Sequence, residues 1–147
     1  MDYKAFLATL PSGYCPFCHE PEDVMLDTNE YCYAVPTRAP YTTDHILIIP
    51  RKHVNKIHEL SEKELAACFH MIDAWSDKLH INHERVSLLL RDGKIIPGLD
   101  KSIDHLHFHL IPDIAVSGSW IGYERTALDV DDYYDLANSM KKKYLAV

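Results

Sequence analysis

Three histidines occupy alternate positions in the stretch DHLHFHLIP, residues 104–112: His105, His107 and His109, interleaved with Leu106, Phe108 and Leu110. On an extended strand, alternate side chains share a face with roughly 6.5–7 Å between neighbours. The pattern therefore predicts three imidazoles on one side and three apolar anchors in a core on the other. Such a row supports two chemistries. Alternate histidines can grip one zinc, with a third ligand nearby and water in the open position. Alternatively, one neutral imidazole attacks an electrophile while its neighbours hold its tautomer or the substrate. Periodicity does not choose between them. A solvated face that happens to be histidine is the bland alternative, and such faces are normally of mixed composition.

A second cluster, Cys15-Pro16-Phe17-Cys18 followed by His19, admits several readings. A redox dithiol of this spacing opens a helix after a strand, and Pro21 interrupts any helix here. Cys15-Cys18-His19 is also C-x-x-C-H, the haem-attachment spacing, yet nothing in the chain points to export or a haem-sized apolar pocket. Two thiolates two residues apart are half of a tetrahedral zinc site, whose other ligands must come from elsewhere. Free thiols in a loop remain the plain alternative.

The elements that must position these residues follow from local pattern. Residues 2–10 predict a short helix ending before Pro11. EYCYAV (30–35), DHILIIP (44–50), RVSLLLR (85–91) and HLHFHLIP (105–112) predict four strands. Ser61 with Glu64 forms a capping box. Leu65, Cys68, Phe69, Ile72, Trp75 and Leu79 follow at helical spacing, as a stripe to be buried. A second amphipathic helix is expected over 129–144. Strands joined by tight loops, with one long helix between the second and third, give an α+β fold with a mostly antiparallel sheet.

At 147 residues with 47% hydrophobic and 25% charged side chains, one domain spanning 1–147 is expected. The net charge of −7 argues against bulk nucleic-acid binding or an anionic membrane surface, while leaving room for a small anionic ligand. No basic n-region followed by an apolar run opens the chain, and no run approaches a membrane span. A cytoplasmic location is expected, where four cysteines are thiols or metal ligands. Cys32 and Cys68 lie in apolar patterns and read as core.

His105-Leu106-His107-Phe108-His109-Leu110-Ile111 has the form His-φ-His-φ-His-φ-φ, φ being hydrophobic, and resembles the signature of the histidine triad (HIT) proteins, nucleotidyl hydrolases and transferases. DHILIIPRKHV (44–54) resembles the family's Gly-His-x-Leu-φ-Ile-Pro-Lys-x-His segment, with Asp44 in place of glycine. KSIDH (101–105) resembles its Gln-Ser-φ-x-His lead-in, with Lys101 for glutamine and Ser102 retained. The resemblance covers roughly residues 14–112.

The resemblance implies a HIT-like fold and attack by His107 on the α-phosphorus of a nucleoside polyphosphate or phosphoramidate. A nucleotidyl-histidine would form, and water would release the nucleoside monophosphate. His109 would contact the phosphate, and Ser102 a phosphate or leaving-group oxygen. Some members complete a Cys-x-x-Cys zinc site with two histidines, which points to Cys15, Cys18, His53 and His105 around a structural Zn2+; His19 and His58 are competing ligands. No organic cofactor is implied. Thr37 stands where the family often has a ribose-binding acid, with Arg38 beside it, and Arg91 stands for a usual asparagine. These, with Lys94 and Lys101, are candidate substrate contacts. A homodimer is the common assembly. A catalytic zinc on His105 and His107, or a non-catalytic nucleotide-binding adaptor, are the other readings.

Overall fold

The computed structural model describes residues 2–97, 103–114 and 125–145. A short helix α1 (Tyr3–Ala8) opens the chain, its first turn closed by Asp2 Oδ1 accepting from the Ala5 amide. Five strands follow: β1 (Asp27–Thr28), β2 (Cys32–Pro36), β3 (Ile46–Pro50), β4 (Val86–Leu90) and β5 (Phe108–Pro112). Helix α2 (Glu62–Leu79) connects β3 to β4, and α3 (Val130–Leu145) follows β5. The strands form one sheet in the order β1-β2-β3-β5-β4 with every neighbour antiparallel, the α+β class expected.

The strands β2, β3 and β5 are buried along their whole length because both faces of the sheet are covered. Ile46, Ile48, Phe108 and Leu110 point to one face, where they pack on Cys68, Met71, Trp75 and Leu79 of α2. Tyr33, Val35, Leu47 and Ile49 point to the other, against Phe17, Ile103 and the α3 residues Tyr133 and Ala137. Period-2 alternation thus separates two apolar layers rather than core from water. α2 starts at the expected capping box: Glu64 N–H donates to Ser61 Oγ, and Ser61 N–H to Glu64 Oε1. Its stripe is shifted slightly from expectation. Met71 is buried, while Phe69 is 46% exposed and meets Phe108 only edge to face.

Two strand starts also differ from expectation. Asn29 Oδ1 accepts from the Tyr31 and Cys32 amides, so residues 30–31 belong to a turn and β2 begins at Cys32. β5 begins at Phe108, three residues later than the histidine pattern implies. His105 N–H donates to Ile103 O within a bend, and Leu106 N–H to Val54 O. The three imidazoles therefore do not form one row: His105 is turned aside, and only His107 and His109 remain adjacent.

Asp44, the residue in place of glycine, has φ = +66°, a conformation that costs a side-chain-bearing residue energy and that Asp tolerates better than most. Its carboxylate is held where it is. Oδ2 accepts from Lys143 Nζ (2.6 Å), Tyr144 OH and His83 Nε2 (2.8 Å), so α3 and the segment after α2 are tied to the start of β3. Burial pushes the Asp44 pKa up, but these hydrogen bonds outweigh it and hold the carboxyl below its ordinary value.

Candidate active site

The Cys15-Cys18 loop folds as a single 3-10 turn over Pro16–Cys18, and Tyr33 OH clamps it by donating to Phe17 O. That turn brings the two sulfurs to His53 and His105. Cys15 Sγ lies 3.4 Å and Cys18 Sγ 3.6 Å from His105 Nδ1. His53 Nδ1 is 3.2 Å from both Cys18 Sγ and His105 Nδ1. All four donor atoms lie within 4.8 Å of one another, and they are the one such group among the described residues. A regular tetrahedron built on zinc–sulfur and zinc–nitrogen bonds has edges of roughly 3.3–3.8 Å. The four separations of 3.2–3.6 Å lie close to that range, so the donor set suits a single four-coordinate ion after a small adjustment of the wider pairs. His105 Nε2–H donates to Pro50 O at 2.7 Å, which leaves the Nδ1 lone pair aimed at the cysteines. Burial, and the neighbouring Cys15, push the Cys18 thiol up to about 11, so an ion binding here displaces protons. The competing candidates are elsewhere: His19 stacks on Tyr14, and His58 sits in the turn over Ile57–Glu59.

His107 is separate from that group. Its Nδ1 is 2.7 Å from the main-chain carbonyl of His105. A carbonyl only accepts, so Nδ1 carries the proton and Nε2 the lone pair. The ring is 8% exposed and is fixed edge-on by Phe17 (centroids 5.0 Å apart) and by His109 at 4.8 Å. Phe17 lies between the two cysteines, so the cysteine turn also forms a wall of the space around His107.

His109 is oriented from behind by a relay through His45. The Tyr41 amide donates to His45 Nδ1 (3.2 Å), so His45 carries its proton on Nε2 and donates to His109 Nδ1 (2.9 Å). His109 consequently presents Nε2–H on its far side. Arg91 Nη1 lies 3.2 Å from that same Nε2. A guanidinium also only donates, so Nε2–H and Nη1–H oppose each other here. The main-chain donor of Tyr41 is fixed while Arg91 is a long side chain that can turn, so the relay sets the tautomer. A phosphoryl oxygen seated between the two N–H groups accepts from both. Both relay histidines are held neutral. Burial, aided by Arg125, His107 and Arg91, pushes His45 down to about 3; burial and the neighbouring His107 push His109 well below its ordinary value.

Arg91 owes its position to the residues after it. Asp92 Oδ1 accepts from the Ile57 amide, and Gly93, at φ = +125°, donates to Asn55 O. A side chain at residue 93 would strain that bend. Arg125 stacks on Tyr41 and Tyr3 (4.5 and 4.8 Å) and lines the same narrow space as Arg91, His107 and His109. Thr37 is buried at its edge. Arg38 instead braces the neighbouring wall: Nε–H donates to Leu128 O, and the guanidinium lies 4.4 Å over the Phe6 ring. Lys94 is exposed. Ser102 and Lys101 lie outside the described residues, as do Trp120 and Tyr123, whose exposure would bear on an adaptor role.

Sequence reasoning assigned no role to His45, Arg125 or Phe17. His45 alternates with Leu47 and Ile49, which was the available signal; its partner is 64 residues away on another strand.

An α+β sheet that packs a carbonyl-locked imidazole beside a donor-lined anion pocket defines a phosphoryl-handling protein of the histidine triad type. Residues 19–115 match the HIT domain family model, and the chain belongs to that family. It is 30% identical over 129 residues to adenosine 5'-monophosphoramidase HNT1 of Saccharomyces cerevisiae, covering 84% of this chain and 78% of that protein. It is 34% identical over 74 residues to adenosine 5'-monophosphoramidase hnt1 of Schizosaccharomyces pombe, covering 50% of this chain and only 52% of that relative. The bis(5'-adenosyl)-triphosphatase of Dictyostelium discoideum is 24% identical over 87 residues, with 58% and 56% covered. The fold matches a histidine triad nucleotide-binding protein of Sulfolobus tokodaii with a TM-score of 0.65 at 24% identity, covering 89% and 92% of the chains. It also matches a zinc-bound histidine triad protein of Mycobacterium smegmatis with a TM-score of 0.55 at 17% identity, covering 88% and 94%.

Proposed function

We propose that this chain hydrolyses nucleoside phosphoramidates or polyphosphates at the α-phosphorus through a covalent adduct on His107. The observation that carries this reading is the hydrogen bond from His107 Nδ1 to His105 O, which leaves the Nε2 lone pair beside the donors His109 Nε2–H and Arg91. The lone pair forms an Nε2–P bond, and the bond from phosphorus to the departing amine or phosphate breaks with its electron pair. Water then adds to phosphorus, the P–N bond breaks back to His107, and nucleoside monophosphate leaves. Charge builds on the non-bridging oxygens in both steps, where positioned donors count most. Relatives named as an adenosine 5'-monophosphoramidase and a bis(5'-adenosyl)-triphosphatase span both substrate classes.

Zinc is the ion we assign to Cys15, Cys18, His53 and His105, in a structural role. Four protein donors close the coordination sphere, and the M. smegmatis neighbour of the same fold is zinc-bound. A catalytic metal shared by His105 and His107 is disfavoured, because the His105 ligand nitrogen faces the cysteines and His107 is not among the donors. We expect a homodimer joined through β4, the longer of the two edge strands, where Leu88 is 48% exposed. We further place the protein in the cytoplasm as one domain, and its net charge of −7 disfavours bulk binding to nucleic acid or an anionic membrane surface.

The test is rapid acid-free quenching of the protein mixed with adenosine 5'-phosphoramidate and with diadenosine tetraphosphate. A nucleotidyl adduct on His107 and release of nucleoside monophosphate are expected. His107→Ala should reduce turnover at least about 10³-fold while retaining the far-ultraviolet spectrum of the parent. A variant that keeps most of the activity would overturn the assignment.

A further inference from the structure

A cavity of about 200 Å³ opens beside the anion site. Tyr3, Phe17, Thr37, Leu47 and Ile103 line both spaces, so the two are contiguous. Beyond this shared stretch the cavity runs between α1, the turn after Cys15 and α3, with aromatic walls from Phe6, Tyr14 and Tyr133. Glu20 is the one carboxylate among its described lining residues, and it belongs to the far part alone. Tyr133 OH donates to Glu20 Oε1 at 2.8 Å, which fixes the carboxylate plane and uses one of its about four lone-pair sites, so both oxygens can still accept. Arg38, braced on Phe6 and Leu128 O, supplies a nearby positive charge that offsets part of the cost of burying Glu20. Held in this way among aromatic rings, the carboxylate offers a fixed acceptor edge to a ligand that carries N–H donors.

A nucleotide whose phosphorus meets His107 must lay its sugar along the shared stretch, because the 5'-carbon links the two, and its base in the aromatic part beyond. The base then stacks between rings and turns one edge to Glu20. We infer that Glu20 is a specificity-determining residue that reads the nucleobase, and that it selects a base offering two adjacent N–H donors, as guanine does through N1–H and its 2-amino group. Adenine offers one donor on that edge, and the N1 lone pair beside it faces the carboxylate unfavourably. Hypoxanthine keeps N1–H and lacks the 2-amino group, so it should rank between them. The inference rests on His107 being the residue that meets the phosphate.

The experiment measures two quantities on the full protein: Kd for guanosine, inosine and adenosine 5'-monophosphates by calorimetry, and kcat/KM for the three 5'-phosphoramidates. Wild type should favour guanosine over adenosine by about 10-fold or more in both, with inosine between. Glu20→Gln should lower the guanosine values about 10-fold and leave the adenosine values within about twofold, a change in ratio that a merely structural role would not produce. Glu20→Asp, which retains the acceptor pair on a shorter stem, should recover part of the preference. Equal or better adenosine binding by wild type overturns the inference while leaving the hydrolase reading intact. So does a Glu20→Gln variant that loses guanosine and adenosine equally. Preferential guanosine monophosphate binding without turnover of any phosphoramidate would uphold the base assignment and overturn the catalytic one.

Discussion

The main-chain carbonyl of His105 accepts a hydrogen bond from His107 Nδ1 at 2.7 Å, while the side chain of the same His105 faces Cys15, Cys18 and His53. One residue therefore joins the Cys/His donor group through its ring and sets the tautomer of His107 through its backbone. Metal occupancy should act on catalysis through position, not chemistry. Brief exposure to a chelator should leave kcat unchanged. Exhaustive metal removal, or Cys18→Ser, should lower kcat about 10-fold by loosening the His105 carbonyl and Phe17. The same change should lower Tm by about 10 °C, since four-donor sites contribute folding energy directly. Immediate and complete loss of activity on chelation would instead mean a catalytic ion.

How much of this was legible in the residues depends on range. The Cys15-Cys18 pair and the alternating histidines are local patterns, visible in short windows of sequence, and the fold brings both to one region. The capping box at Ser61 is another such pattern, and α2 starts there. What failed was the inference that period 2 requires a continuous strand. The first imidazole is pulled out of register because its ring must reach both the cysteines and Pro50 O. His45, Arg125 and Glu20 come to the site through strand register, the bridge between Asp2 and Thr126, and packing of α3, which no short window of sequence encodes. β1 is two residues long and leaves no periodicity to read.

The relay predicts which nitrogens hold protons. Because His45 and His109 are depressed by burial, neither should titrate between pH 5 and 8. Imidazole ¹⁵N spectra over that range should show His109 protonated at Nε2 and His107 at Nδ1 in the neutral protein. The sign for stability follows from linkage. Unfolding frees both groups to take up protons near their ordinary pKa of about 6.5. Their contribution is present above that value and is lost progressively as pH falls below it, toward about 3 for His45. His45→Phe, which removes the uptake, should flatten the acid limb of Tm against pH and should also weaken turnover, because His109 is no longer set as a donor.

Asp44 sets backbone strain against a hydrogen-bond network, and two substitutions separate them. Asp44→Gly relieves the cost of φ = +66° but gives up the contacts to Lys143, Tyr144 and His83; Asp44→Ala gives them up and keeps the strain. Both should destabilise, and Ala more than Gly by about 1 kcal/mol. The loss for Ala should be about 2–3 kcal/mol, at the low end for a buried pair because Lys143 is 38% exposed. His83 adds a pH limb of the opposite sense from His45. Burial lowers its pKa, but hydrogen bonds to Asp113 and Asp44 outweigh this and leave it raised. Its stabilisation is complete below the unfolded value of about 6.5 and disappears as pH rises through the raised folded value. Urea midpoints from pH 6 to 9 should therefore decline for the parent and stay flatter for His83→Gln.

Arg91 should distinguish between the two substrate classes. A phosphoramidate departs as a neutral amine once protonated, so the only charge the site must hold is that on the α-phosphoryl group, which His109 and Arg91 share. A polyphosphate departs as an anion, and its phosphates must lie close to the donors that converge at His109 Nε2, where Arg91 Nη1 stands 3.2 Å away. Arg91→Met should therefore cost kcat/KM about 10- to 100-fold on diadenosine tetraphosphate, the worth of a hydrogen bond to a charged group. On an adenosine phosphoramidate the loss should be no more than a few-fold. Arg91→Lys keeps the charge but not the planar fork, and should fall between. Raising the salt concentration should weaken polyphosphate turnover in the parent more than in Arg91→Met. Equal losses on both substrates would confine Arg91 to the common step at the α-phosphorus, with no added part at the leaving group.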